Sequence, residues 1–173
     1  MKAENKRFTT AGTCAEAEMT NAFMPRKKAA EMETTMKDTN CIFCKIANGE
    51  IPSATVYEDE DFRAILDLGP ANAGHTLILP KNHYANLAEL PDALAGRVLA
   101  VARKIGLAQQ KALAADGFNV LQNNGTAAGQ SVFHYHVHVI PRYEGDNAVP
   151  NWTPGSYADG EMDETAKKLQ EAL

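Results

Sequence analysis

Residues 133 to 141 read Phe-His-Tyr-His-Val-His-Val-Ile-Pro, with three histidines at a spacing of two. Side chains of an extended chain alternate between faces, so this pattern predicts a strand over Phe133 to Ile140. His134, His136 and His138 then share one face, and Tyr135, Val137 and Val139 share the other. A helix would scatter the same rings around its axis. The apolar face needs a covering layer, and the imidazole face needs something polar to address. At a rise of about 3.3 Å per residue, neighbouring rings stand roughly 6 to 7 Å apart. That is too extended for all three to hold one metal ion, but well spaced for successive atoms of one bound anion.

The rest of the chain supplies the layers. Short β-prone runs at Thr55-Val56-Tyr57, Phe62 to Leu66, Thr76 to Leu79 and Phe118 to Gln122 are separated by acidic, Gly and Pro punctuation, which suits hairpins and a meander. A short helical or turn segment over Cys41 to Ala47 ends at the turn dipeptide Asn48-Gly49. Between Pro91 and Ala115, Leu94, Val98, Val101, Ile105 and Leu113 recur near helical spacing, with Gly117 as the stop signal. Glu161 to Leu173 reads as a closing helix with Met162, Ala166, Leu169 and Leu173 inward. The expected class is α+β: an antiparallel sheet of about five strands with one long helix packed on it. At 173 residues this is one domain.

The first 38 residues carry seven Lys+Arg and six Asp+Glu without a sustained period, whereas residues 39 to 173 hold ten and sixteen. We read 1–38 as a poorly ordered extension with a helical turn or two around Ala29 to Met36, and 39–173 as the domain. Met36-Lys37-Asp38 also resembles a natural start, which makes the upstream residues an expected start-codon artefact. The net charge of −5 argues against nucleic acid or a polybasic membrane anchor as a partner. No apolar run approaches the eighteen or so residues of a membrane span. Three cysteines (14, 41, 44) and no apolar leader point to a reducing cytoplasm. There the Cys41-x-x-Cys44 pair reads as metal ligands or redox thiols or, equally on spacing alone, as two partly buried thiols. Cys14 lies in the extension and receives no role.

Upstream of the histidines, Asn123 to Ser131 reads Asn-Asn-Gly-Thr-Ala-Ala-Gly-Gln-Ser. Its small residues let backbone N–H groups approach a ligand, and Gln130 and Ser131 add donors beside the imidazole row, the makings of a phosphate cradle. With these residues in view the chain resembles the histidine-triad (HIT) family of nucleotide hydrolases and transferases. That family's signature, His-φ-His-φ-His-φ-φ with φ apolar, is matched by His134 to Ile140, although Tyr135 is aromatic where an aliphatic is commoner. The likeness spans roughly residues 40 to 152. It includes Cys41 to Lys45, Phe62 to Asp67, Gly74 to His83 and Pro141-Arg142, and is strongest to the bacterial branch near the Hint proteins.

The resemblance implies that His136 is the nucleophile of a hydrolase cleaving nucleoside 5′-phosphoramidates or related AMP- or GMP-linked substrates through a nucleotidyl-histidine. It implies that His138, Gln130 and Ser131 stabilise the phosphate, that Ser131 also guides the leaving group, and that His75 contacts the phosphate. Asp67 and Asn123 then approach the ribose, and Ile65 and Leu68 form an apolar slot for the purine. It further implies a structural zinc on Cys41, Cys44, His83 and His134, and a homodimer pairing through the long helix and the strand before it. Dinucleoside polyphosphate hydrolysis, metal-dependent hydrolysis on two of the triad histidines, and nucleotide binding without turnover are the alternatives. Plainer readings stand beside these: Asp67 as a turn former before Gly69-Pro70, His75 satisfied at a strand edge, Glu58 to Asp61 as a solvated turn. Trp152 could pack at a subunit contact.

Overall fold

In a computed structural model of the chain, residues 36–149 and 153–173 are described. Trp152 and residues 1–35, with most of the expected helical turn, lie outside them. The elements run α1 (Ile42–Ala47), β1 (Thr55–Glu58), β2 (Phe62–Leu66), β3 (Thr76–Pro80), α2 (Asp92–Leu113), β4 (Gly117–Leu121), β5 (Val137–Arg142) and α3 (Glu161–Ala172). The strands form one antiparallel sheet in the order β1-β2-β3-β5-β4, as the α+β reading required. Among the described residues no helix is long and apolar enough to cross a membrane.

Sheet parity sorts the core into two layers. Ala64, Ile78, Val137 and Val139 face α2, where they pack with Tyr135, Val98, Val101, Ala102 and Ile105. On the opposite face Ile65, Leu77 and Leu79 pack against Phe43, Ile46 and Ala47 of α1. Gly106 is what lets α2 lie so close to the sheet. A Cβ there would stand 2.5 Å from three atoms of the Phe118 ring. Gly106→Ala is therefore expected to destabilise the fold by about 1–3 kcal/mol through overpacking, despite the better helix propensity of Ala, as read by denaturant unfolding.

Several boundaries depart from the sequence reading. The last strand starts at Val137 rather than Phe133, because in the β3–β5 register Val137 faces Ile78, which would set Tyr135 opposite Pro80. Pro80 has no N–H to give the ladder. Its carbonyl instead meets His134 Nε2 at 3.0 Å, and the Tyr135 N–H turns to the carbonyl of Tyr84 at 2.6 Å. α2 stops at Leu113 because Ala114 takes the left-handed conformation (φ 53°), and Gly117 opens β4 rather than ending the helix.

Three further expectations are corrected. β3, the strand before the long helix, lies between β2 and β5 and has no edge to offer a partner; β1 and β4 are the free edges. In α3 no residue is buried, and Met162, Leu169 and Leu173 are exposed rather than inward. The domain also reaches back past residue 39, since the Met36 carbonyl accepts the His83 N–H at 2.6 Å.

Candidate active site

The sheet face opposite α2 collects the titratable residues. In the ladder Leu77 pairs with both Ile65 and His138, so all three point the same way. His75 stands two residues before Leu77 and Asp67 two residues after Ile65, which returns both to that face. The outcome is a chain of contacts that the sequence left apart. His75 Nε2 lies 2.9 Å from His138 Nδ1, Asp67 Oδ2 is 3.6 Å from His75 Nδ1, and the His136 and His138 ring centroids are 5.0 Å apart.

Hydrogen-bond partners assign the protons. The Ala71 N–H donates to His75 Nδ1 at 3.2 Å, leaving Nε2 as the protonated nitrogen. The 3.6 Å gap to Asp67 is too long for a competing bond. His75 Nε2–H therefore donates to His138 Nδ1, and the remaining proton of His138 sits on its Nε2. His136 has the opposite tautomer: its Nδ1 lies 2.7 Å from the His134 carbonyl, which can only accept. Nδ1 carries the hydrogen and Nε2 keeps a lone pair. Burial pushes the His138 imidazole down to about 4, with His136 and His75 adding to the effect and Asp67 opposing it. Burial likewise lowers His75, against the pull of Asp67. Both rings are neutral at pH 7.

Other predicted residues land in varied places. Gln130 is buried, but its amide donates to the carbonyls of Ala85 (2.7 Å) and Val132 (3.1 Å), while its Oε1 accepts the Gly125 N–H at 2.8 Å. Both donors are taken, so Gln130 shapes the loop instead of offering its amide to a phosphate. Gly125 and Gly129, at φ of 82° and 86°, supply the left-handed turns this loop needs. Ser131 is exposed and lines a cavity of about 330 Å³ with Asn40, Cys41, His83 and Phe133. The Asn123 amide nitrogen lies beside Gly129, 3.7 Å from where a Cβ would stand. Asp67 keeps its turn role too, with Oδ1 accepting the Gly69 N–H at 2.9 Å. Ile65 is buried under Phe43 and Ile46, and Leu68 is wholly exposed two residues past the end of β2.

Cys41, Cys44, His83 and His134 come together as a second cluster, their ligand atoms all within 4.8 Å of one another. Cys44 Sγ is 3.3 Å from His83 Nδ1 and 3.5 Å from His134 Nδ1, which is also 3.5 Å from Cys41 Sγ. The Pro80 carbonyl takes the Nε2–H of His134 and turns its Nδ1 towards the thiols. Burial pushes the Cys44 thiol up to about 11. Phe43, between the two cysteines, places its ring edge-on to His136 at 5.2 Å, so the cluster and the nucleophile candidate share a wall.

The sequence reading missed Gln109 and Asn72. Gln109, buried on α2, donates to the carbonyls of Gly74 (2.9 Å) and Val139 (3.0 Å), the residues adjoining His75 and His138. Asn72 binds Pro141 O and Asp146 Oδ2, both at 2.9 Å, and pins the loop that carries Ala71. A glutamine at 109 in line with the buried stripe of α2 was the available signal. Gln109→Leu is expected to cost about 1–2 kcal/mol, since it removes the amide donor shared by the Val139 carbonyl and by the Gly74 carbonyl, which keeps the Thr76 hydroxyl. It is also expected to lower turnover more than substrate affinity, checked by chemical denaturation and steady-state kinetics.

Comparison with known proteins agrees with this geometry. The model of the HIT domain matches residues 48–145. An uncharacterized HIT-like protein of Methanocaldococcus jannaschii is 47% identical over 131 residues, covering 75% of this chain and 98% of its own. Adenylylsulfatase HINT3 of Arabidopsis thaliana is 44% identical over 116 residues, 67% of this chain and 59% of that one. Among solved structures, a Streptococcus mutans protein superposes with a TM-score of 0.75 at 40% identity, covering 80% of this chain and 88% of its own. A zinc-bound histidine triad protein from Mycobacterium smegmatis gives 0.62 at 38% identity, covering 78% and 98%. With the matched domain spanning both histidine groups and the sheet that joins them, the chain belongs to the HIT family.

Proposed function

We propose that this HIT-family chain is a nucleotidyl hydrolase that cleaves nucleoside 5′-phosphoramidates or related AMP- or GMP-linked conjugates by covalent catalysis at His136. One observation carries this reading. The His134 carbonyl holds His136 in the tautomer that leaves Nε2 unprotonated, on the face where His138 presents an Nε2–H. In the first step the Nε2 lone pair forms an N–P bond and the bond from phosphorus to the leaving group breaks. Its electron pair departs with the leaving atom, which takes a proton from solvent or from Ser131, our candidate for guiding the leaving group. The His138 Nε2–H stabilises the charge on the phosphoryl oxygens, and the His75–His138 bond keeps that hydrogen pointed outward. Water then attacks phosphorus and forms an O–P bond, the N–P bond breaks and returns its electron pair to Nε2, and the nucleoside monophosphate leaves as the water's proton passes to solvent.

Asp67 and Asn123 remain our candidates for the ribose. Hydrolysis on a metal held by Asp67, His75 and His138 is less well supported, because the bond between His75 and His138 occupies nitrogens an ion would need. The name of the Arabidopsis relative supports nucleotidyl anhydrides as further substrates. We also assign zinc to the Cys41, Cys44, His83 and His134 cluster. Zn–S and Zn–N bonds of about 2.3 and 2.0–2.1 Å imply tetrahedral S···N edges of about 3.5 Å, and the separations here are 3.3 to 3.5 Å. Such an ion, closed to water by four protein ligands, would hold α1 on the sheet. In a homodimer β4 is the strand we expect to pair, since β3 is enclosed. The test of the catalytic reading is intact mass after an acid-free quench with adenosine 5′-phosphoramidate. An adenylyl adduct on the peptide carrying His136 supports it; turnover with no adduct at early times overturns it.

A further inference from the structure

The proton on His75 is fixed by a loop that has little of its own to hold it. His75 donates to His138 through Nε2 because its Nδ1 is already taken up in accepting the Ala71 N–H. Ala71 belongs to the connection between β2 and β3, where every residue from Leu68 to Ala73 is exposed except Asn72. Packing therefore does not place the Ala71 amide. Among the described residues, the hydrogen bonds that tie residues 68–73 to a distant part of the chain both come from the Asn72 side chain. One goes to the Pro141 carbonyl at the end of the triad strand and one to Asp146 Oδ2, each 2.9 Å long.

Asp146 is itself held firmly. Its carboxylate accepts Arg142 Nε at 2.8 Å and Arg142 Nη2 at 2.5 Å, together with the N–H groups of Tyr143 (2.7 Å) and Ala148 (3.1 Å). Arg142 is anchored in turn by Asn119 Oδ1 on β4 at 2.5 Å. The Arg142 guanidinium, with the Tyr143 N–H, keeps the Asp146 carboxyl well below the usual carboxylate range, so it is a charged acceptor at neutral pH. A charged acceptor holds the Asn72 amide more strongly than a neutral one does.

The opposite proton arrangement has an acceptor in place. Asp67 Oδ2 stands 3.6 Å from His75 Nδ1. If the Ala71 amide withdraws, a hydrogen on His75 Nδ1 gains that carboxylate, Nε2 becomes the lone-pair side, and His138 donates through Nδ1 instead of accepting there. Both rings stay neutral and each keeps one hydrogen. His138 Nε2 is then bare, beside the bare Nε2 of His136, and the phosphoryl group loses its donor. The His75–His138 pair is thus a wire with two directions, and one backbone N–H selects between them.

We infer that Asn72 and Asp146 are positioning residues, which hold the Ala71 N–H on His75 Nδ1 and so keep the His138 hydrogen on Nε2, where the substrate phosphate meets it. The effect on turnover rests on the catalytic reading proposed above, whereas the tautomers stand independently of it.

Long-range correlation spectra of labelled imidazole nitrogens in the full chain, assigned through single histidine variants, read the tautomers directly. In the wild type His75 and His138 should both carry hydrogen on Nε2. In Asn72→Ala, and in Asp146→Asn, which keeps the shape but turns an N–H group on the donors around it, both rings should shift towards the Nδ1–H form. In both variants kcat for adenosine 5′-phosphoramidate should fall about 10- to 100-fold with KM within about threefold, the pattern of a lost transition-state donor. Wild-type tautomers in either folded variant overturn the inference whatever kcat does, and a wild type with hydrogen on His75 Nδ1 overturns it without any variant. Reversed tautomers with unchanged kcat sustain the clamp and overturn the donor role of His138 instead.

Discussion

His136→Ala is expected to lower kcat for adenosine 5′-phosphoramidate by about 10⁴–10⁶-fold, the scale on which loss of a covalent nucleophile is usually felt. The fold should survive, because the substitution removes one neutral hydrogen bond, to the His134 carbonyl, worth about 1 kcal/mol. The adenylyl adduct should vanish with activity while AMP binding persists. His138→Ala should show a smaller loss, about 10²–10³-fold, since it removes a donor aimed at developing charge and leaves the attacking nitrogen in place. Rapid-quench kinetics and calorimetric AMP titration check both outcomes. Wild-type rates in His136→Ala would end the covalent mechanism. Turnover that vanishes on verified metal removal, with the fold intact, would favour the metal-dependent alternative instead.

Removing metal from the Cys41, Cys44, His83 and His134 cluster is expected to lower the thermal midpoint by about 10 °C or more, and Cys44→Ser should do the same. The size follows from what the cluster joins. Its ligands come from the N-cap and body of α1, from the loop after β3 and from the approach to β5, and α1 otherwise rests on the small layer of Ile65, Leu77 and Leu79 and on the Arg63 bond to the Ile46 carbonyl. Loss of roughly 3–4 kcal/mol of cross-linking gives a shift of this order for a domain of this size. A thiol raised to about 11 by burial stays protonated at pH 7 without a cation. Metal loading therefore releases protons, and affinity falls as pH falls. Turnover at 25 °C should fall as well, because the cluster meets His136 twice, through the Phe43 ring and through the His134 carbonyl that accepts the His136 Nδ1–H. Metal analysis on the purified chain, followed by calorimetry before and after chelation, checks this. A midpoint unmoved after complete metal removal would leave the four residues with no stabilising ion.

Some of this organisation was readable from the chain alone because it is local. The alternation at 134 to 138 put the imidazoles on one side and Tyr135, Val137 and Val139 on the other, and both layers are present. The periodic stripe of α2 likewise matches Val98, Val101 and Ile105 in the core. Features that needed a partner at a distance were misplaced. Phe133 to His136 have every local reason to be strand, but the register sets Pro80 opposite Tyr135 and ends the ladder at Val137. Gln130 stands in a small-residue loop where a ligand donor would, but its amide donates to the carbonyls of Ala85 and Val132. The stripe of α3 is genuine amphipathy, yet no surface of its own domain receives it.

By itself the sequence determined the sheet-and-helix class and the shared face of the triad, since period and spacing are properties of consecutive residues; the four metal-site candidates, far apart in the chain, were implied by the family resemblance and brought together by the fold. The tertiary structure decided the tautomers: which nitrogen of His75, His136 and His138 holds a proton depends on the Ala71 amide and the His134 carbonyl and on the meeting of β3 with β5. A neutral imidazole is donor on one side and acceptor on the other, and only its neighbours in space settle the order.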